Sequence, residues 1–495
     1  MCGGTKVKQV HTDLDVIIIG SGLGGLTAGA LLAKAGMKVS VLEQHYVVGG
    51  CAQSFRRGTF LFDAGIHLIG GCEPGGIIHS LYEELGLSGD IEFLEVNPMF
   101  HLNLGTRHYE IPANLDQLSA LMGKWFPADK KVIEETIAEI KQLGTIILHD
   151  QFQQESHVLQ RLMEVTQLSF AQYLQGRFSH PHATLVLGAL HPYGGVPTNQ
   201  LGTPFMMAMM ASYHHGAYYP RGGSQTMANL LRDYIESKGG VVQLNKKVAK
   251  ILFDGKRVTG VIDHKGNCYQ ADIVISNADV RTTLMGLLGA EHLPSTYLQS
   301  MKQMMPSHSA VILYGAVSNH DIQSLPHELF LFPDRELETE AQYLYDPLNP
   351  ETDPCILVCC PSSVDPGLAP DGYAIVTFMS LCSASHLENA RTQLGKEAIE
   401  RHYVALVEKK LPGIQEKLIF QEFATPKTVE RYTSNHNGAI YVWMKSATQP
   451  WTDNMGPATP IEGLYLAGHW TPNTHGVIGA VKSGKFTASH ILQSR

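Results

Sequence analysis

Asp15-Val-Ile-Ile-Ile-Gly20-Ser-Gly22-Leu-Gly-Gly25-Leu26 stands near the start of the chain, and Val39-Ser-Val-Leu-Glu43 follows it after a helix-length gap. The pattern predicts a strand, a glycine turn, a helix and a second strand that ends in an acid. Gly20 allows the tight turn, Gly22 lets the backbone approach a pyrophosphate, and Gly25 lets the helix pack closely on the strand. Glu43 then lies where its carboxylate can accept hydrogen bonds from a ribose. The segment predicts an adenine-dinucleotide site formed by Gly20, Ser21, Gly22, Leu23, Gly24, Gly25, Glu43 and Gln44.

The dinucleotide could be NAD or FAD, and the residues beyond Glu43 separate the two. Val47-Val48-Gly49-Gly50-Cys51 leads into a predicted hairpin around Arg57-Gly58 and then into Phe62-Asp63-Ala64-Gly65-Ile66-His67. A nicotinamide-binding domain normally continues directly into another helix at this point. The sequence therefore favours FAD.

Two later blocks of sequence also combine glycine-containing turns with predicted strands and a helix. Tyr219-Pro-Arg-Gly-Gly-Ser224 precedes a predicted helix from Gln225 to Lys238, after which predicted strands begin at Val241, Val248 and Val258 and a last one covers Tyr269 to Ser276. Asp254-Gly255 and Lys265-Gly266 supply turns between them. Near the end, Gly463-Leu-Tyr-Leu-Ala-Gly468 and Gly476-Val-Ile-Gly479 predict a strand, a loop and a long helix.

Together, these blocks resemble the FAD superfamily that includes amine oxidases, phytoene desaturases, carotenoid isomerases and retinol saturases. The resemblance implies an α/β fold in which a discontinuous, Rossmann-type FAD-binding domain of the glutathione-reductase kind carries an α+β substrate domain formed by two inserts. The FAD-binding domain would comprise residues 13–75, 219–285 and 446–495, and the inserts residues 76–218 and 286–445.

The same resemblance implies further cofactor contacts. Gly49 and Gly50 resemble the family's second flavin loop, and Val248 occupies the position that reaches the adenine. Gly468 precedes the C-terminal helix, whose first residues, Val477 and Ile478, would lie at the flavin. A helix N-terminus there stabilises the negative charge that develops on flavin reduction.

Within the superfamily, Gly50-Cys-Ala-Gln-Ser-Phe55 and Phe62-Asp-Ala-Gly-Ile-His-Leu-Ile-Gly70 resemble the retinol saturases and the carotenoid isomerases and desaturases more than the amine oxidases. This implies an FAD-dependent enzyme that acts on carbon–carbon double bonds of a hydrophobic conjugated isoprenoid, a carotenoid or a retinoid. His469-Trp470 and Asn473-Thr474-His475 replace the small residues that desaturases have in that loop, so the direction of the reaction stays open.

Two alternatives remain. A flavin amine or amino-acid oxidase would need an aromatic cage or an arginine in the flavin chamber, and the sequence does not place Arg221 or Arg431 there. A non-catalytic prenyl-lipid-binding protein of the same architecture would have no need of the intact glycines and Glu43.

His67 is the candidate catalytic residue. Saturation of a double bond requires a proton, and a histidine with a pKa near neutrality is a suitable donor. The competing interpretation is that His67 only hydrogen-bonds the backbone or the flavin. Isomerisation would require no proton donor.

The middle of the chain should hold the substrate. Helices are predicted from Leu115 to Trp125, Ala128 to Ile147 and Glu155 to Leu174, and strands at 309–317 and 374–381. Thr203-Pro-Phe-Met-Met-Ala-Met-Met-Ala-Ser-Tyr213 is either a buried core helix or a soft surface for a long apolar ligand. A polyene resides in a bilayer, so we expect peripheral membrane association through an apolar patch, with Met206 to Met210 as one candidate.

Composition limits the remaining function classes. The net charge of −9 and the absence of a basic stretch with interleaved aromatics argue against a nucleic-acid partner. The eight cysteines lack ligand spacing, so no metal site is predicted. Residues 1–13 lack the apolar core of a secretory signal. We expect a location on the cytoplasmic side of a membrane, or in a plastid or thylakoid if a transit peptide has been removed. The sequence leaves the oligomeric state open.

Overall fold

The computed structural model describes residues 8–11, 14–318, 325–335, 339–449, 456–471 and 476–494. Its strands are β1 (Lys8–His11), β2 (Val16–Ile19), β3 (Val39–Leu42), β4 (Ser54–Arg57), β5 (Phe60–Asp63), β6 (Phe93–Glu95), β7 (Phe100–Leu104), β8 (Arg107–Ile111), β9 (Tyr218–Pro220), β10 (Val241–Gln243), β11 (Val248–Phe253), β12 (Val258–Asp263), β13 (Asn267–Gln270), β14 (Ile273–Ser276), β15 (Ser309–Ser318), β16 (Glu328–Phe332), β17 (Ile356–Cys359), β18 (Tyr373–Cys382), β19 (Leu418–Ala424) and β20 (Leu464–Leu466).

The α-helices are α1 (Leu23–Lys34), α2 (Ile77–Glu84), α3 (Leu115–Trp125), α4 (Lys130–Leu148), α5 (Ser156–Thr166), α6 (Phe170–Leu174), α7 (Pro181–Gly188), α8 (Thr203–Ser212), α9 (Gln225–Ser237), α10 (Ser295–Gln303), α11 (Glu340–Tyr343), α12 (Ala384–Leu394), α13 (Lys396–Lys410), α14 (Ile414–Lys417), α15 (Pro426–Thr433) and α16 (Gly476–Gln493). Thr282–Gly289 forms a π-helix.

A five-stranded parallel sheet with the order β10-β3-β2-β14-β20 joins three distant parts of the chain. Its strands are apolar on both faces because both are covered. In β2, Val16 and Ile18 pack into the cluster that contains α1 and α9, whereas Ile17 and Ile19 pack into the opposite cluster. This is the continuous apolar pattern expected of a buried parallel strand. The fold is a mixed α/β fold.

A seven-stranded, largely antiparallel sheet forms the second layer, in the order β19-β15-β18-β17-β16-β7-β8. One of its faces packs in the largest apolar cluster together with α3, α4, α8 and Tyr193, and the other packs against α12 and α13. A four-stranded sheet, β1-β13-β12-β11, lies beside the parallel sheet. Among the described residues, no helix combines the length and apolarity needed to cross a bilayer.

Two predicted elements are wrong in extent. The helix predicted from Glu155 to Leu174 is two helices, α5 and α6, because Ser169 caps α6 in a capping box with Gln172. The strand predicted from Tyr269 to Ser276 is split between β13 and β14, which belong to different sheets. The hairpin at Arg57-Gly58 and the helix from Leu115 to Trp125 are confirmed.

The α4–α8 contact gives a stability prediction. Gly144 lies inside α4, where alanine would ordinarily be favoured by about 1 kcal/mol. A Cβ at this position would, however, lie 2.2 Å from the carbonyl oxygen of Met207. We expect Gly144→Ala to lower the free energy of unfolding by about 2 kcal/mol, measured by urea denaturation. Gly286→Ala is the control, since a Cβ there meets no atom of the described residues within 4 Å. Equal stability of the two variants would contradict the packing of α4 on α8.

Candidate functional site

A cavity of about 670 Å³ extends from the edge of the parallel sheet to the seven-stranded sheet. Every residue predicted to bind the cofactor lines it except Gly25. Gly25 lies behind the wall: its N–H donates to Asn277 Oδ1 at 2.9 Å, and a Cβ on it would lie 2.6 Å from the carbonyl oxygen of Gly20. It therefore has the close-packing role that the glycine pattern assigned to it, and the roles of the lining residues stay predictions.

The N-terminus of α1 opens on this cavity. Its N-cap, Gly22, places no side-chain acceptor on the first N–H groups, and no acidic residue lies in the first turn. The first four amides of a helix have no partner within the helix, and its dipole favours an anion there. Gly49 bridges to Gly22 and donates its N–H to the carbonyl of Ser21 at 2.9 Å, so the two glycine loops lie against each other. This arrangement fits a pyrophosphate.

Glu43 is buried at the cavity wall. Its Oε2 accepts hydrogen bonds from the amide and hydroxyl of Ser21 at 2.8 and 2.7 Å, and its Oε1 accepts one from the amide of His45 at 2.7 Å. A carboxylate offers about four acceptor positions, so capacity remains for a ribose hydroxyl. The carboxylate is thus held in place by the loop that follows β2 and by its own strand end.

This geometry predicts that Glu43→Gln weakens FAD binding by about 10- to 100-fold, because the charged acceptor is replaced by an amide that must compete for the same N–H groups. Fluorescence titration of deflavinated protein with FAD measures the change. Glu139→Gln is the control, since Glu139 is a partly buried carboxylate bonded to Arg161 and Tyr173 and does not line the cavity. An unchanged dissociation constant in Glu43→Gln would contradict the assignment of Glu43.

The C-terminal segment reaches the same cavity. Val477 and Ile478, in the first turn of α16, line it together with Gly468. His469 and Trp470 also line it: a ring nitrogen of His469 lies 3.0 Å from the carbonyl of Gly476, and Trp470 donates its indole N–H to Asn435 Oδ1 at 3.0 Å. Burial lowers the pKa of His469. Asn473, Thr474 and His475 lie outside the described residues.

The remainder of the wall is formed by aromatic, methionine and aliphatic side chains from separated segments. They are Tyr193, Phe205, Met209, Tyr213, Ile312, Tyr314, Met379, Ile440, Tyr441 and Met444. Sequence reasoning drew attention to the segment from Thr203 to Tyr213 and to the predicted strands at 309–317 and 374–381, which contain Ile312, Tyr314 and Met379. Tyr193, Ile440, Tyr441 and Met444 carry no local signal, since the fold brings them to the cavity from distant positions.

The methionine run is buried. Met206, Met207, Met209 and Met210 are at most 8% exposed, so the prediction that they form a membrane-docking patch is wrong. One face of α8, with Met207 and Ala211, packs against Gly144 of α4. Its other face, with Phe205, Ala208 and Met209, lines the cavity. The segment is a core helix that also forms part of the cavity wall.

His67 lies on the wall of the cavity and is buried. Its Nδ1 is 3.1 Å from Oε1 of Glu328, and its carbonyl oxygen is 2.8 Å from Nε2 of His327. Burial lowers the pKa of His67, but the nearby carboxylates of Glu328 and Asp63 outweigh it, so the pKa is raised. Burial lowers the pKa of His327. The ring partner of His67 is therefore a carboxylate, which no local pattern in the sequence indicates.

Lys445 is a second group that sequence reasoning missed. It lines the cavity, and burial lowers its pKa to about 8. Arg221 and Arg431, by contrast, do not line the cavity: Arg221 pairs with Glu92, and Arg431 lies over the ring of Tyr432.

The family model for flavin-containing amine oxidoreductases matches residues 23–492. All-trans-retinol 13,14-reductase of Rattus norvegicus is 26% identical over 99% of this chain and 87% of its own length. Chloroplastic prolycopene isomerase of Daucus carota is 27% identical over 97% of this chain and 80% of its own.

Solved structures have the same fold. An oxidoreductase from Methanosarcina mazei superposes with a TM-score of 0.66 at 17% identity, over 97% of this chain and 100% of its own. Putrescine oxidase bound to putrescine superposes with a TM-score of 0.67 at 16% identity, over 98% of this chain and 100% of its own. The chain belongs to the flavin-containing amine oxidoreductase family and is an FAD-dependent enzyme.

Proposed function

We propose that this enzyme acts on a carbon–carbon double bond of a hydrophobic conjugated isoprenoid, a retinoid or a carotenoid. The observation that carries the proposal is that the relatives named above, a retinol 13,14-reductase and a prolycopene isomerase, align over nearly the whole chain. The aromatic and methionine wall of the cavity suits such a ligand, since polarizable side chains adapt to long apolar molecules.

The proposal includes a division of the chain. Residues 13–75, 219–285 and 446–495 would form a Rossmann-type FAD-binding domain, and residues 76–218 and 286–445 the substrate domain. The parallel sheet supports this division, because β2, β3, β10, β14 and β20 all come from the first set. The seven-stranded sheet takes its strands from the second set.

In this assignment, Gly20 to Gly24 hold the pyrophosphate, Glu43 the ribose, Val248 the adenine side, and Val477 and Ile478 the isoalloxazine side. When bound, FAD supplies two-electron redox chemistry. The protein's own contribution is to align the polyene, exclude water and place a proton donor. His67 is that donor where the reaction is a reduction.

Amine oxidation is the second candidate. The fold shared with putrescine oxidase favours it, and the tyrosines of the wall could form an aromatic cage. Against it, the carboxylates among the described lining residues are Glu43, which is bonded to Ser21 and His45, and Glu422, which pairs with Arg57 at 2.5 Å. A desolvated ammonium would therefore enter a wall without a free carboxylate. The glycine turn and Glu43 at the cavity wall speak against a non-catalytic lipid carrier.

Product analysis tests the proposal. Purified holoenzyme is incubated without oxygen with all-trans-retinol or with a cis/trans lycopene mixture, once oxidised and once reduced with dithionite. Liquid chromatography with mass detection separates the outcomes: a gain of two hydrogens indicates a saturase, a loss of two a desaturase, and a new isomer of equal mass an isomerase. If no polyene changes while putrescine reduces the oxidised enzyme, the proposal is wrong.

We also propose that the enzyme works at a membrane surface, on the cytoplasmic side or in a plastid, because a polyene must be taken from lipid. Exposed apolar side chains such as Phe152 and Met163 are available at the surface. We expect co-sedimentation with phosphatidylcholine vesicles at both low and moderate salt, since apolar insertion is only weakly screened. Recovery of all the protein in the supernatant would contradict membrane docking.

A further inference from the structure

His67 is held from two directions by adjacent residues at the start of β16. Glu328 contacts the ring through Nδ1 at 3.1 Å, and His327 contacts the main-chain carbonyl at 2.8 Å. The side chain of Glu328 is completely buried and that of His67 is 7% exposed. A charged pair withdrawn from water in this way is unusual unless its geometry serves a purpose.

The contact fixes which ring nitrogen can act. Nδ1 faces Glu328, which leaves Nε2 as the ring nitrogen available to a ligand in the cavity that His67 lines. A carboxylate that accepts from Nδ1–H orients the imidazole and stabilises its protonated form. We propose that Glu328 is a positioning residue that holds His67 as an imidazolium with Nε2–H directed into the cavity.

The other groups around the ring are consistent with a single positive charge. The negative charge of Asp63 also raises the pKa of His67. The Asp63 carboxylate accepts hydrogen bonds from Ser54, Ser224 and Tyr219. Neutral His327 adds no charge, since burial lowers its pKa.

Tyr193 meets the ring of His67 edge to face at 6.4 Å, and the thiol of Cys359 lies within 4.8 Å of both His67 and Glu328. Burial and Glu328 raise the pKa of Cys359, so the thiol stays neutral. Glu328 is therefore the main partner of the charge.

This inference rests on the proposed function and selects one of its reactions. In a reduction, the Nε2–H bond of His67 would break as its proton forms a C–H bond at one carbon of the double bond, and FAD held by the glycine loops and Glu43 would supply the hydride equivalent for the neighbouring carbon. His67 is then neutral and regains a proton from solvent. Isomerisation needs no such donor, so a maintained imidazolium favours the saturase.

The pH dependence has a definite sign. A donor acts only when protonated, so turnover should be present below the pKa of His67 and lost as the pH rises through it. Because that pKa is raised, the loss should begin above the ordinary value for histidine of about 6.5. Removing the charge of Glu328 should move the loss to lower pH.

The experiment compares wild type, Glu328→Gln, His67→Gln and the double variant as flavin-loaded enzymes. With histidine labelled at Cε1 with carbon-13, the His67 signal among the 24 histidines is the one that His67→Gln removes. We expect Glu328→Gln to lower the pKa of that signal by at least about one unit. It should also lower turnover at pH 7.5 by about 10- to 100-fold, with no further effect in the His67→Gln background.

Asp129→Asn is the matched control, since it also removes a buried carboxylate, one bonded to Ser179 and His180 away from the cavity. Asp129→Asn should change neither the pKa of the His67 signal nor the turnover at pH 7.5. Thermal melting checks that every variant folds. The proposal is wrong if Glu328→Gln leaves the pKa of His67 unchanged, or if that pKa falls while the pH profile of turnover does not move. If the pKa falls but wild type converts no polyene, the proposed function has failed while the Glu328–His67 coupling holds.

Discussion

Gly22→Val should yield a folded protein that no longer retains FAD. Gly22 is the N-cap of α1 and lies on the cavity wall, where the backbone must come close to a pyrophosphate. A Cβ there would lie 2.5 Å from Nδ2 of Asn277, which is the end of a flexible side chain and can move. The branched valine would then occupy the space of the phosphates and cover the first amides of the helix.

We expect FAD affinity to fall by at least about 100-fold, which corresponds to about 2.7 kcal/mol of binding free energy. Stability should fall by only about 1 to 2 kcal/mol, from the disturbed bond between Asn277 and Gly25. Flavin absorbance per protein after gel filtration measures the first effect, and urea unfolding of the deflavinated proteins the second. Gly89→Val is the control, because a Cβ at Gly89 meets no atom within 4 Å in the part of the chain that the structure describes. Full flavin occupancy in Gly22→Val would show that the phosphate site is wrongly placed.

Ala208→Trp should abolish turnover without loss of flavin. Ala208 lies on the cavity face of α8, between Phe205 and Met209 in sequence, and remote in sequence from the glycine loops. An indole there would fill part of the apolar channel that an extended polyene must occupy. We expect kcat/KM for the polyene to fall by about 100-fold or more, since a well-packed apolar wall accommodates added volume poorly.

The control for this change is Ala120→Trp, at an exposed position of α3 away from the cavity. Flavin content, the flavin spectrum and thermal melting should match wild type in both variants. Normal turnover in Ala208→Trp, or loss of flavin together with turnover, would contradict the assignment of this part of the cavity to the substrate.

The features that could be predicted from sequence are those written in consecutive residues. The glycine turn, the apolar strand before it and Glu43 after it are local, and the structure brings them to one cavity wall. The hairpin at Arg57-Gly58 and most helices follow from turn residues and periodicity in the same way. Local patterns could not show that β13 and β14 belong to different sheets, because each strand pairs with strands that are distant in sequence.

The polar surroundings of His67 were beyond the sequence for the same reason. Glu328 is separated from His67 by 261 positions, and no motif around either residue predicts their contact. The methionine run gave a misleading membrane prediction, because burial of α8 depends on its contact with α4. A helix that is apolar all round is compatible with either a core or a surface site until its neighbours are known.

The most direct test of double-bond reduction by this enzyme is an anaerobic visible spectrum of the reduced holoenzyme after one equivalent of all-trans-retinol is added. We expect the absorbance of oxidised flavin to return in step with the loss of polyene conjugation, with one flavin reoxidised for each double bond reduced. Double-bond reduction is contradicted if the flavin stays reduced and the polyene absorbance does not change, while an amine reduces the flavin of the oxidised enzyme.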